Sequence, residues 1–93
     1  MITANEYFEG NVKSLGYNAP EGNSTIGVME PGDYKFSTSA HETMIVIEGE
    51  LQATLPDSDQ KKSFKAGERF EVPANSSFLV TAVGQTSYLC KYE

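Results

Sequence analysis

The side chains capable of chemistry are few, and several lie close together. The one histidine, His41, precedes Glu42, and both fall in Pro31–Leu51, PGDYKFSTSAHETMIVIEGEL. An imidazole beside a carboxylate leaves three readings open: a metal site, a catalytic carboxylate, or a packed core. Neighbouring residues of a strand point to opposite faces, so His41 and Glu42 cannot both turn to one metal ion from a strand. His41 reads as a surface or loop residue. The one cysteine, Cys90, has no histidine placed to activate it, and reads as a small buried hydrophobe rather than a nucleophile. Thr38, with Ser37 and Ser39 beside it, is either a hydroxyl donor or a β-branched strand residue. Among the bases, Lys61-Lys62 with Lys65 reads as a solvated turn. Lys91 and Arg69 are the candidates for the rim of a pocket.

These residues need a scaffold that 93 residues can supply. That length holds one domain, residues 1–93, and a domain this small buries only about 60–65% of its unfolded surface. The net charge of −6, from 13 acids and 7 bases, argues against a nucleic-acid binder, which needs clustered Lys and Arg. A single cysteine excludes an internal disulfide and fits a reducing compartment. The opening MITANEYFEG has neither a basic start nor an apolar run, so it is not a secretory signal. No stretch approaches the ~20 apolar residues of a membrane helix. A cytoplasmic protein is expected.

Gly, Pro, Asn, Asp and Ser punctuate the chain at short intervals, a spacing that predicts an all-β sandwich or barrel. Asn5–Gly10 reads as a turn or frayed helix. Strands are expected at Val12–Tyr17, Thr25–Met29, Tyr34–Thr38, Thr43–Glu48, Leu51–Leu55, Ser63–Lys65, Arg69–Val72, Phe78–Val83 and Ser87–Tyr92. Asn18–Asn23 (NAPEGN) reads as a loop. Tyr34–Thr38 and Thr43–Glu48 read as a strand pair across a polar link. The apolar run Met44–Ile47 suggests a strand covered on both faces or curling into a barrel. Closing the sheet into a barrel would remove edges that invite aggregation. On the last strand, Tyr88, Cys90 and Tyr92 share one face, and Leu89 and Lys91 the other. Tyr88 and Lys91 are therefore competing pocket residues.

Two spaced motifs sharpen the fold. Glu42 to Gly49 reads E-x6-G, and Gly67 to Phe78 reads G-x5-P-x-N-x2-F. They resemble the two motifs of the cupin superfamily, small jelly-roll β-barrels in which three histidines and a glutamate hold a metal. Glu42 and Gly49 fall on the Glu and Gly of the first motif. Counting back from Glu42 places Phe36 and Thr38 at the two histidine positions; counting forward from Gly32 places Thr38 and Ala40 there. In the second motif Gly67 and Pro73 match, Asn75 replaces a glycine and Phe78 the last histidine. One carboxylate cannot by itself hold a transition metal, which wants three or more protein ligands. The missing histidines argue against a metal-dependent cupin oxygenase or isomerase. Glu42 is the ligand position that kept its charge.

A narrower likeness covers Asn5 to Tyr92. The segments EYFEGNVKSLGY, GVMEPGDYKFST, ETMIVIEGEL and SYLCKYE resemble a family of one-domain cupins described as pyrimidine/purine nucleoside phosphorylases. The resemblance implies phosphorolysis of nucleosides to free base and pentose 1-phosphate, with broad tolerance of the base, no cofactor beyond inorganic phosphate as co-substrate, and no metal. Such a reaction passes through an oxocarbenium-like state. It asks for an acceptor facing the sugar, donors for phosphate and an apolar wall for the base. Glu42 is the candidate acceptor. Thr38 is a candidate for phosphate or ribose, and Lys91, inside SYLCKYE, for phosphate. Phe36, Met44, Phe78 and Tyr88 are candidates for the wall, or ordinary core. A homodimer joined through edge strands is expected. The rival reading is a non-enzymatic cupin that binds a sugar or nucleoside.

Overall fold

The computed structural model describes residues 1–93. Ten strands form: β1 (Thr3–Tyr7), β2 (Val12–Ala19), β3 (Gly22–Met29), β4 (Gly32–Ser37), β5 (Glu42–Glu48), β6 (Glu50–Thr54), β7 (Lys62–Lys65), β8 (Arg69–Val72), β9 (Ser77–Ala82) and β10 (Thr86–Tyr92). They build a six-stranded sheet, β1-β2-β3-β10-β5-β8, and a four-stranded sheet, β4-β9-β6-β7. Every pairing is antiparallel.

All the strands expected from the turn residues are present. The tenth, β1, lies where a turn or frayed helix was expected. Its residues TANEY have no alternation to betray a strand, because four of the five are exposed at a sheet edge. Only Phe8–Gly10 makes a helical turn, with Phe8 and Glu9 in the left-handed region at φ 54° and 60°. The NAPEGN loop is shorter than expected. The β2–β3 ladder runs out to Ala19 opposite Gly22, leaving Pro20-Glu21 as a two-residue turn.

The expected strand pair within Pro31–Leu51 is not a pair. β4 bonds to β9 in the small sheet, and β5 bonds to β10 and β8 in the large one. The reason lies at Thr38. Its N–H donates to Ser76 O at 2.8 Å, and its hydroxyl donates to Pro73 O at 2.7 Å while accepting from Ser76 N–H at 3.0 Å. The end of β4 is thus pinned to the loop between β8 and β9, and the chain crosses to the other sheet before His41. The Met44–Ile47 run is covered on one face, not both: Met44 and Val46 are buried, but Ile47 is 42% exposed.

The core lies between the two sheets. Val12, Met29, Met44, Val46, Phe70 and Val72 come from the large one, and Tyr34, Leu51, Ala53, Phe78 and Val80 from the small one. The hydrogen-bond ladders do not close into a barrel. β1 and β8 remain edges of one sheet, β4 and β7 of the other. Point contacts such as Val46 N–H to Glu68 O (3.0 Å) and Gly67 N–H to Val46 O (2.8 Å) tie β5 to the turn between β7 and β8.

Gly49, the glycine of the first motif, turns the chain from β5 into β6. It has φ +96°, and a Cβ there would lie 2.6 Å from Thr86 Oγ1 and 3.0 Å from Gln85 O. That hydroxyl also accepts from Glu50 N–H at 3.3 Å. Gly49→Ala is expected to cost roughly 2–4 kcal/mol, because strain at positive φ adds to a backbone clash. Urea unfolding of the two proteins measures it; a loss under ~0.5 kcal/mol, the scale of ordinary surface changes, would show that the corner relaxes freely.

Candidate functional site

A cavity of about 130 Å³ lies between the sheets. Its walls are Met29, Phe36, Met44, Phe78 and Tyr88, and its polar groups are Glu42, Cys90, Ser14, Ser37, Tyr7 and Tyr92. The walls are braced by aromatic contacts. Phe36 stacks on Phe78 at 5.7 Å between ring centres, and Phe8 meets Phe36 edge-on at 5.5 Å. Tyr88 lies opposite Gly27 on β3, where a Cβ would sit 2.5 Å from the ring. The missing side chain is what lets the ring lie flat against the sheet.

The placement of Glu42 follows from one irregularity. β10 pairs Ser87 with Glu48 but Tyr88 with Val46, so Ile47 is an extra residue on β5. Beyond this bulge Tyr88, Cys90 and Tyr92 stand opposite Val46, Met44 and Glu42, all directed inward. Without it the phase of β5 would slip by one, and Thr43 would face inward in place of Glu42.

Within the cavity the Cys90 thiol donates to Glu42 Oε1, with Sγ 3.4 Å from the oxygen. A thiol is a weak donor. Burial pushes the Glu42 carboxyl above its usual value, and the Cys90 thiol and the charge of His41 only partly offset that. Burial and then the nearby Glu42 charge push the Cys90 thiol up, so it is no thiolate nucleophile. Burial likewise raises Tyr88 and Tyr92. The Tyr92 hydroxyl lies 3.2 Å from Thr25 Oγ1.

Five of the residues singled out in the sequence, Glu42, Phe36, Met44, Phe78 and Tyr88, meet in this cavity. Two do not. Thr38 is buried, but its hydroxyl is consumed by Pro73 and Ser76 in the crossover. Lys91 alternates with Cys90 and Tyr92 and takes the outer face of the large sheet, opposite Ser24 and Thr43. Between Tyr88 and Lys91, the tyrosine face is the one turned to the cavity. Arg69 is exposed on β8, and no Lys or Arg lines the cavity. His41 stands outside it, with Nε2 3.0 Å from Glu71 Oε1 and Nδ1 3.4 Å from Glu93 Oε1. No three His, Cys, Asp or Glu side chains converge in an arrangement suited to a metal ion. The sequence reading missed Ser14, Met29 and Tyr7. The alternation Val12–Ser14–Gly16 carried a signal for Ser14; Tyr7 carried none, because β1 was not seen as a strand.

The pyrimidine/purine nucleoside phosphorylase family model matches residues 2–92. The chain belongs to that family. A pyrimidine/purine nucleoside phosphorylase of Hahella chejuensis is 50% identical over 92 residues, covering 99% of each chain. A Vibrio parahaemolyticus protein of unknown function has the same fold, with a TM-score of 0.96, 41% identity and coverage of 100% of this chain and 99% of that one. A cupin superfamily protein of Desulfitobacterium hafniense, 16% identical with a TM-score of 0.74, covers 95% of this chain and 82% of its own, and extends the likeness in fold to cupins. This chain thus has a cupin-like scaffold, in which Glu42 lines the cavity and Gly49 makes the corner after β5.

A carboxyl whose value is raised in the folded state binds protons more readily there than in the unfolded chain. Stability therefore falls as pH rises from the usual carboxylate value of 4.5 through the higher folded value. Glu42→Gln cannot ionise and escapes that loss. The difference in melting temperature, variant minus parent, is expected to grow more positive between pH 4 and about pH 7. Thermal melts across that range test it, and a difference independent of pH would show that the carboxyl is not penalised by burial.

Proposed function

We propose that this protein is a nucleoside phosphorylase that cleaves purine and pyrimidine nucleosides with inorganic phosphate, without a metal. The observation that carries the reading is the pairing of a lone half-buried carboxylate, Glu42, with an aromatic and methionine wall. The base packs against Phe36, Phe78, Met44 and Tyr88. No Asn or Gln side chain lines the cavity to read the edge of a base, which supports tolerance of both base classes. Glu42 accepts a ribose hydroxyl and faces the positive charge that develops at the anomeric carbon. Phosphate bonds to that carbon as its bond to the base nitrogen breaks, and the base leaves with the bonding pair. The cavity supplies no cation, so phosphate enters at the rim, where the Ser37 and Tyr7 hydroxyls stand.

Base release from uridine and inosine, assayed with and without phosphate in the presence of chelator, tests this. Release that needs phosphate and ignores chelator is the expected result. Glu42→Gln is expected to lose about a hundredfold or more in kcat, the scale for removing one electrostatic group from a transition state. Absence of release from any nucleoside would end the reading. The lack of Lys or Arg in the cavity favours a second reading, a nucleoside-binding module, which predicts binding without turnover.

The same reading includes a homodimer in the cytoplasm. The support for pairing is an apolar row across the outer face of the large sheet, not an edge strand. Leu15 stands opposite Ile26, Ile26 opposite Leu89, and Leu89 opposite Ile45. Leu15 is 51% and Ile26 44% exposed. No helix is long and apolar enough to cross a membrane, and a buried free cysteine suits a reducing compartment. Sedimentation should show a dimer that Ile26→Glu converts to monomer; a monomeric parent would remove the pairing.

A further inference from the structure

The cavity is too small for its proposed substrate. Pockets that enclose drug-sized ligands run to about 300–1,000 Å³, against about 130 Å³ here. One ring fits such a space, and a base with its sugar does not.

The missing space lies on the same face of the large sheet. Cys90, which holds Glu42, stands opposite Thr25 on β3; Thr25 stands opposite Gly16 on β2, and Gly16 opposite Thr3 on β1. This inward row leads from the cavity to a groove of about 420 Å³, lined among others by Thr3, Asn18, Asn23, Thr25, Ser39 and Tyr92. No strand of the small sheet covers it; only Ser39 and Ala40 of the crossover do. Tyr92 lines both spaces, and its hydroxyl meets Thr25 Oγ1 at 3.2 Å across the boundary. No charged side chain lines the groove, although the chain is 22% Asp, Glu, Lys and Arg. Met1 also lines the groove and brings its α-ammonium there. The side chains of the wall are mostly hydroxyls and amides, which suit a polyol, since each can donate and accept without holding an ion.

Resting on the nucleoside reading above, we infer that this groove is a pentose subsite and that Tyr92 is the partition between it and the base cavity. The base occupies the aromatic cavity and the sugar lies across the Tyr92–Thr25 boundary, with its hydroxyls toward Asn18 and Asn23. Glu42, beside Cys90 and opposite Tyr92, then stands where the two parts of the substrate join.

The test compares uridine with uracil by NMR titration of isotope-labelled protein without phosphate. Uracil is expected to move the amide signals of Met44 and Tyr88 only. Uridine is expected to move these and also Asn18, Asn23 and Thr25. Asn18→Leu is expected to weaken uridine by about tenfold, the scale of one lost hydrogen bond, while uracil stays within about twofold. Thr25→Val, a change of one hydroxyl, gives the same split if Asn18→Leu does not fold. Groove signals unmoved by uridine, an equal loss for uridine and uracil, or no binding of either compound overturns the subsite. Uridine binding in the groove without phosphate-dependent base release would overturn the phosphorylase reading and leave the subsite standing. Phosphate-dependent release with a silent groove would do the reverse.

Discussion

One extra residue sets the chemistry of the interior. β10 is hydrogen-bonded on both sides, to β3 and β5, so its phase governs both neighbours. The bulge at Ile47 shifts β5 by one residue against it. A strand side chain has only two directions, and a single insertion exchanges them for everything beyond. Glu42 faces inward because of that exchange, and the cost of the bulge is an apolar residue, Ile47, left 42% exposed. The thiol of Cys90, the ring of Tyr92 and the carboxyl of Glu42 are neighbours only in this register.

That arrangement places an ionisable group where solvation is poor. The chain as a whole is acidic, with a net charge of −6, and its basic residues stand elsewhere: Lys91 on the outer face, Arg69 on an exposed part of β8, Lys61 and Lys62 around the β7 hairpin. The cavity therefore combines a reluctant carboxyl with hydroxyls and rings. Such an interior offers rings and hydroxyls to a ligand but no Lys or Arg, so an anion held there would depend on neutral donors.

Much of the scaffold was legible because glycine, proline and asparagine mark where strands end. Nine of the strands followed from that punctuation, and the motif glycine Gly49 is explained by a turn with φ +96°. The pairing of those strands was not legible. Tyr34–Thr38 and Thr43–Glu48 look like a hairpin until Thr38 is seen bonded to Pro73 and Ser76, contacts made across more than thirty residues. β1 was hidden because an edge strand needs no alternation. At the site, the period of two correctly grouped Tyr88 with Cys90 and Tyr92, but a period does not say which group turns inward. The bulge has no mark of its own inside MIVIE, so the inward phase of Glu42 had to come from the motif.

The bare patch at Gly27 gives the site a part that can be exchanged. On the β3 side the Tyr88 ring lies against Gly27, with the phenol filling room that a side chain there would otherwise take. Of the wall residues it is the one whose bulk is matched by an absence across the ladder. Shortening Tyr88 would deepen the cavity toward the sheet, and a methyl at Gly27 would push the ring away from β3. This glycine–tyrosine couple is a place where the chamber can be resized while Glu42 keeps its position on β5.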